Sequence, residues 1–352
     1  MADALLAPAV AATMYVASGV AAGFSAHQLR RDESAQKLPT MAVTAALVFA
    51  GQMINYTIPG TGSSGHMCGG MLLSALLGPQ AGFLSMIVIL AIQCLFFADG
   101  GLMALGANVW NMAFYGCFVG YYLIWRPILR SKLFSGMGAK GGQRARIILA
   151  SIAGCVVTLQ LGAFSVVLET SLSGITELPF GAFAALMQPI HLAIGLIEGV
   201  VTAAVLVFVY ESRPELLQEV DTSDASVSAR GSLKTTLVIL AVLAVVVGGG
   251  LSLLASSNPD GLEWALFGNA DAGYSENMGL DEEEFGVSSK AADTAASIQE
   301  TTSFLPDYSF ADSESAAGTS VSGIVGVGLV AGVAALICLA GGFFRRRRAS
   351  AK

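Results

Sequence analysis

Only three of the 352 residues are histidines. One of them, His66, closes a run of Gly, Ser and Thr in the stretch Gly60-Thr61-Gly62-Ser63-Ser64-Gly65-His66-Met67-Cys68-Gly69-Gly70, with Pro59 ahead of it. A neutral imidazole is the commonest protein ligand for metal ions, and glycine allows φ > 0 and close approach of backbone to a ligand. His66 is therefore a candidate metal ligand. The competing reading is a histidine that caps the short helix following it, or that hydrogen-bonds inside its loop. Cys68 is a further candidate, as a soft ligand. His27 reads as a surface residue and His191, on an apolar helix, as a packing histidine.

Other polar groups in or beside apolar segments are few: Gln52, Asn55, Gln93, Asp99, Asn108, Asn111, Gln160, Glu169, Gln188 and Glu198. They read as hydrogen bonds between helices, worth ~0.6 kcal/mol each in a membrane. No G-x-x-x-x-G-K-[ST] phosphate cradle, H-E-x-x-H pattern or Ser-His-Asp spacing occurs, so neither ATP hydrolysis by that loop nor an enzyme activity has residues to rest on.

The elements that hold these residues are set by composition. Charged residues make up 12% of the chain and hydrophobic ones 54%, against roughly 25% charged in a soluble domain. Mean hydropathy is +0.68. The net charge of −7 is concentrated in 256–321, which holds thirteen Asp or Glu, Asp281-Glu282-Glu283-Glu284 among them, and one Lys. Basic residues sit in short clusters beside apolar runs, which excludes nucleic acid as a partner. Five cysteines are an odd count lying mostly in apolar runs, where free Cys behaves as a small hydrophobe. The N-terminus lacks the basic segment of a cleavable signal peptide.

Apolar runs at 5–24, 40–57, 66–98, 103–125, 147–169, 182–210, 233–255 and 322–344 approach the ~20 residues that cross a bilayer. Gly78-Pro79 interrupts the long 66–98 run. Lys and Arg collect on the cytoplasmic side of short loops, and the basic linkers are 25–39, with Arg30, Arg31 and Lys37, and 126–146, with Arg126, Arg130, Lys132, Lys140, Arg144 and Arg146. They share a face with the terminal Arg345–Arg348 only if 66–98 is two short helices, 67–78 and 81–98. The expectation is an all-α polytopic membrane protein of about nine spans. Its seven-span module covers 1–210, a cytoplasmic linker 211–232, and a two-span module 233–352 with the acidic outer loop. The N-terminus and His66 lie outside, the basic tail inside. Within that loop, 268–299 is polar and poor in aromatics and reads as loosely ordered.

Four segments in order resemble the substrate-binding membrane components of cobalt/nickel energy-coupling-factor transporters. They are MADALLAPAV, IPGTGSSGHMCGG (58–70), QCLFFADGGLMALGANVWNMA (93–113) and PIHLAIGLIEGVVTAAVL (189–206). The second module is similar to the accessory subunit of such systems through Asn258-Pro259-Asp260-Gly261-Leu262-Glu263-Trp264, FLPDYSF (304–310) and SGIVGVGL (322–329). The resemblance implies a fusion of both subunits in a bacterial or archaeal plasma membrane, working with a membrane coupling protein and cytoplasmic ATPases. It would capture Co²⁺ or Ni²⁺ as cargo, with no cofactor of its own, for cobalamin synthesis or nickel enzymes, and the accessory module would help load the metal. It also implies a metal held by the N-terminal amine, by the backbone nitrogen and imidazole of a His at position two, and by an outer-loop His that maps onto His66. Met1 thereby joins the candidate site. Position two here is Ala2. Either the protein begins two residues earlier with Met-His, or the site is altered and uses His66 with Cys68 or another ligand. A non-transporting metal sensor or scaffold is the alternative function, but the linkers 25–39 and 211–232 leave no room for a signalling domain.

Overall fold

The computed structural model describes residues 1–29, 37–175, 178–220, 222, 232–271, 273, 286–310 and 316–349; the side chains of 37, 38, 316 and 338–349 fall outside that description. Arg30, Arg31, the acidic run 281–284 and the side chains of Arg345–Arg348 therefore lie outside the described residues.

Helices dominate. α1 (Pro8–Leu29) starts with Pro, which lacks only an N–H that a first turn leaves unpaired in any case, and exposes Val16 and Val20. Such apolar surface, like that of Leu196 and Val200 elsewhere, suits a lipid environment. α2 (Lys37–Gln52) leads into a hairpin of two three-residue strands, β1 (Tyr56–Ile58) and β2 (Ser63–Gly65), paired antiparallel with Tyr56 opposite Gly65. The long apolar run then splits where Gly78 adopts φ 83° and Pro79 opens the next helix, giving α3 (Gly70–Leu77) and α4 (Pro79–Phe97).

α3 differs from the expected short span. It has eight residues, all buried, and at ~1.5 Å per residue reaches only ~12 Å, so it is a buried half-span. Helix α5 (Leu105–Asn108) runs directly into a π-helix, Val109–Trp125, then α6 (Arg126–Arg130). The π-helix crosses α3 closely: a Cβ on Gly116 would lie 2.7 Å from the Gly70 Cα. Two long neighbours in sequence, α7 (Gly138–Leu172) and α8 (Phe180–Ser212), pack backbone to backbone. There Gly195 meets Val156 and Gly199 meets Ile152, at 2.8 and 2.6 Å from each Cβ position to the facing Cα. Small residues of this kind let membrane helices approach.

The second module contributes α9 (Leu233–Gly249), α10 (Gly261–Phe267), α11 (Lys290–Thr302) and α12 (Ala316–Ala349). α9 and α12 cross at Gly248 and Gly323, and Gly326 of α12 lies flat against the Phe49 ring of α2. Part of the stretch read as loosely ordered is the helix α11. Ser289 caps it by accepting from Ala292 N, and its alanines favour helix; buried Gln299 donates to Cys94 O and Gly100 O. Among the described residues, five helices reach span length: α1, α4, α8, α7 with the turn before it, and α12, with α2 and α9 shorter but apolar. The four described cysteines are free.

At the end of the bundle away from the hairpin, the chain leaving α8 turns back. Gln218 donates from its backbone N to Ala75 O and from Nε2 to Leu76 O, satisfying the last carbonyls of α3. Glu219, at φ 68°, meets Tyr121 Oη at 3.0 Å, Arg130 at 2.6 Å and Arg126 at 3.4 Å.

Candidate metal site

The Gly60–Gly65 run is a clamped hairpin arm. Ser64 donates from its backbone N to Pro259 O at 2.8 Å and from Oγ to Asn258 O at 2.8 Å, and Asn269 Nδ2 donates to Gly62 O at 2.7 Å. Gly65 must be glycine, because a Cβ would sit 2.5 Å from Ile194 Cγ1. After this arm the chain turns into α3, and the turn is fixed by a residue 130 positions away. Glu198, 1% exposed, accepts from Cys68 N at 2.7 Å and Gly69 N at 2.9 Å. A carboxylate there satisfies orphaned N–H groups at a helix start and complements its dipole.

His66 projects from this turn into the wall of a cavity of about 140 Å³. Met1 and Cys68 line the same cavity, as do His191, Asn108, Asn111, Asp260 and Gly261. The three residues singled out as a site thus share one space, and His191, read as a packing residue, is part of its wall. His66 Nδ1 lies 3.1 Å from Met67 O and His191 Nδ1 lies 2.8 Å from Met187 O. A carbonyl cannot donate, so each Nδ1 carries a proton, and the lone pair that a ring can offer a metal is the one on Nε2. Cys68 Sγ donates to Met112 O at 3.6 Å; to act as a thiolate ligand it must give up that proton.

Met1 is held at the cavity by its carbonyl, which accepts from Gly101 N at 3.0 Å and Asn108 Nδ2 at 3.4 Å. Asp3 accepts from Ala104 N at 2.8 Å, and Leu5 and Leu6 are buried. Asn111, one turn beyond Asn108, donates to Glu169 Oε2 at 2.9 Å. Among the described residues, no group of three His, Cys, Asp or Glu stands close enough to share one metal ion.

The accessory signature forms the remaining wall. Asp260 caps α10 by accepting from Leu262 N and Glu263 N, and Glu263 bonds back to Asp260 N, a reciprocal capping box. Gly261 meets Ile190 and His191, with a Cβ there only 2.6 Å from Ile190 Cγ2. Trp264 packs with Ile58, Leu159, Ile190 and Ile194. The Asp-x-x-Glu spacing was the available signal for this helix start, but the surface it covers was not visible in spacing.

A family model for the cobalt uptake substrate-specific transmembrane region matches residues 1–216. The chain belongs to that family. A second model, for the PDGLE domain, matches residues 234–341. Among relatives, a protein of Archaeoglobus fulgidus named for fused nickel transport is 36% identical over 333 residues, covering 93% of this chain and 94% of its own. A cobalt transport protein of Sorangium cellulosum is 34% identical over 193 residues, 54% of this chain and 82% of that one. A crystal structure of a transition metal transporter is similar at 29% identity and a TM-score of 0.50, covering 59% of this chain and 91% of that one. As a member of the cobalt uptake family the chain is a multi-pass membrane component of metal transport. The residues of its cobalt-uptake region and of its PDGLE region meet at the cavity that His66 lines.

Proposed function

We propose that this chain is the capture component of an energy-coupling-factor importer for Co²⁺ or Ni²⁺, with the metal held in the cavity by His66 and by nitrogen from the N-terminal end at Met1. The observation that carries this is the convergence of Met1, His66 and the accessory helix cap on one small cavity, in a chain of the cobalt uptake family. Late divalent ions favour imidazole and amine nitrogen, and the fixed Nδ1–H of His66 leaves Nε2 as the donor. Binding requires a neutral imidazole, so affinity falls in acid. The cavity end faces outward, and the opposite end, carrying Arg126, Arg130, Arg144 and Arg146, faces the cytoplasm, as the positive-inside tendency requires. There a membrane coupling protein and ATPases would act, supplying the energy for which this chain has no phosphate-binding loop. The accessory module, residues 233–352, closes the cavity over the bound ion and assists loading.

The test is uptake of radiolabelled Co²⁺ and Ni²⁺ in cells carrying the complete complex, each ion competing against the other. His66→Ala is expected to abolish accumulation while leaving the protein in the membrane; normal uptake in that variant refutes the site. Mass spectrometry of the native N-terminus decides whether a Met-His pair precedes Met1.

A further inference from the structure

Glu169 is 5% exposed and Asn111 7% exposed. One Glu169 oxygen takes the Asn111 amide N–H, and this leaves Glu169 Oε1 and Asn111 Oδ1, two adjacent buried acceptors, with no donor among the described residues. Buried polar oxygens in native folds are almost always bonded, so a donor belongs there. Asn111 lines the cavity, as do Gly162, Ala163 and Val166 of α7, which stand seven, six and three residues before Glu169 on the same helix. On the same helix, three residues before Asn111, Asn108 holds the Met1 carbonyl.

Resting on the metal reading above, we propose that Glu169 and Asn111 are positioning residues for the N-terminal nitrogen ligand. An α-amine bound to a metal through its lone pair keeps two N–H groups, and the pair offers two oxygens to receive them. With Asn108 and Gly101 fixing the Met1 carbonyl, an amine at this N-terminal end is turned so that its lone pair meets the ion facing His66. The ordinary counterpart is a metal-bound histidine whose second N–H is held by a carboxylate.

The test is equilibrium Co²⁺ binding to the purified full chain together with the visible absorption of the bound ion. Loss of such supporting contacts typically weakens metal affinity about 10–100-fold. Glu169→Leu is expected near the upper end. Glu169→Gln, which keeps an acceptor oxygen at the same reach, is expected near the lower end as a partial rescue. In both, the Co²⁺ bands shift as water replaces the misdirected nitrogen, a change that a purely structural role would not produce. If neither Glu169 variant folds, Asn111→Leu carries the decision with the same expected loss and shift. Wild-type affinity and bands in these variants, alongside lost binding in His66→Ala, overturn the positioning role and leave the metal site standing. Wild-type binding in His66→Ala overturns the metal site itself.

Discussion

The carboxylate of Glu198 sets where His66 stands, and removing it should cost more than any other single side chain around the turn. It receives two backbone N–H groups, Cys68 at 2.7 Å and Gly69 at 2.9 Å, at the start of a helix that is buried along its whole length. Hydrogen bonds to a charged group contribute roughly 1.5–3 kcal/mol each, so Glu198→Ala loses about 3–6 kcal/mol on that scale. Bonds in membrane helices average nearer ~0.6 kcal/mol, but here both N–H groups end on one carboxyl group that is 1% exposed, so the larger scale applies. Glu198→Gln keeps one acceptor oxygen and turns an NH₂ towards the second N–H, losing roughly one of the two bonds. The expected order of thermal stability in detergent is wild type, then Glu198→Gln, then Glu198→Ala, with Co²⁺ uptake falling in the same order because His66 is two residues from the capped turn. An unchanged melting temperature in Glu198→Ala, or a Gln variant no better than Ala, refutes this account of the turn.

Three further outcomes concern the second module, two of them where it meets the first. Gly261→Val drives side-chain atoms into Ile190 and His191, an overpacking of about 1–3 kcal/mol; slower uptake and faster proteolysis within 256–271 are expected, and wild-type behaviour in both assays counts against closure of the cavity by the accessory module. Gly323→Ile forces α12 off the Gly248 carbonyl and should lower the melting temperature by several degrees, which differential scanning in detergent measures. Asp307 sits beside Tyr308, whose hydroxyl donates to Asp99 at 2.6 Å and whose ring stacks on Phe97 with centroids 4.8 Å apart. Partial burial first, and then the Asp99 carboxylate, raise the Asp307 pKa above its ordinary 3.8. The folded chain thus holds this proton more tightly than the unfolded one, so the stability it adds is full below about pH 3.8 and is lost as pH rises through the raised value. Asp307→Asn removes the charge and tolerates the φ of 49°, so its melting temperature should exceed wild type at pH 7 and converge with it in acid; a constant difference across pH contradicts the electrostatic cause.

Much of this architecture was legible because it follows from periodicity and punctuation. Gly78-Pro79 announced a break, since a Gly at positive φ followed by Pro at a first helical position cannot continue a helix, and charge parity then required two helices. What escaped the sequence were the hydrogen-bond partners brought from afar. Glu198 meets Cys68 across 130 positions and Asn111 meets Glu169 across 58, and their helices read simply as apolar runs containing one polar residue each. His191 looked like packing because its neighbours in sequence are apolar, whereas its exposure to the cavity depends on Gly261 arriving from another module. The eight-residue length of α3 was also hidden, because Gly69 and Gly70 carry no helix-breaking signal stronger than that of the many glycines inside the long helices.

The two caps of α3 give the site its mechanical setting. Glu198 holds the first turn, and Gln218, six residues beyond the end of α8, holds the last carbonyls. Both therefore belong to one stretch of chain: from Glu198 to Ser212 the helix rises ~21 Å, and the following turn folds back beneath α3. Between these caps α3 has no exposed residue and crosses the π-helix at Gly70 and Gly116 with no side chain between the backbones. A close-packed element of this kind has little freedom to deform on its own. The position of the His66 turn is thus fixed relative to α8, and through Gln218 and Glu219 relative to Arg126 and Arg130 at the other end of the bundle.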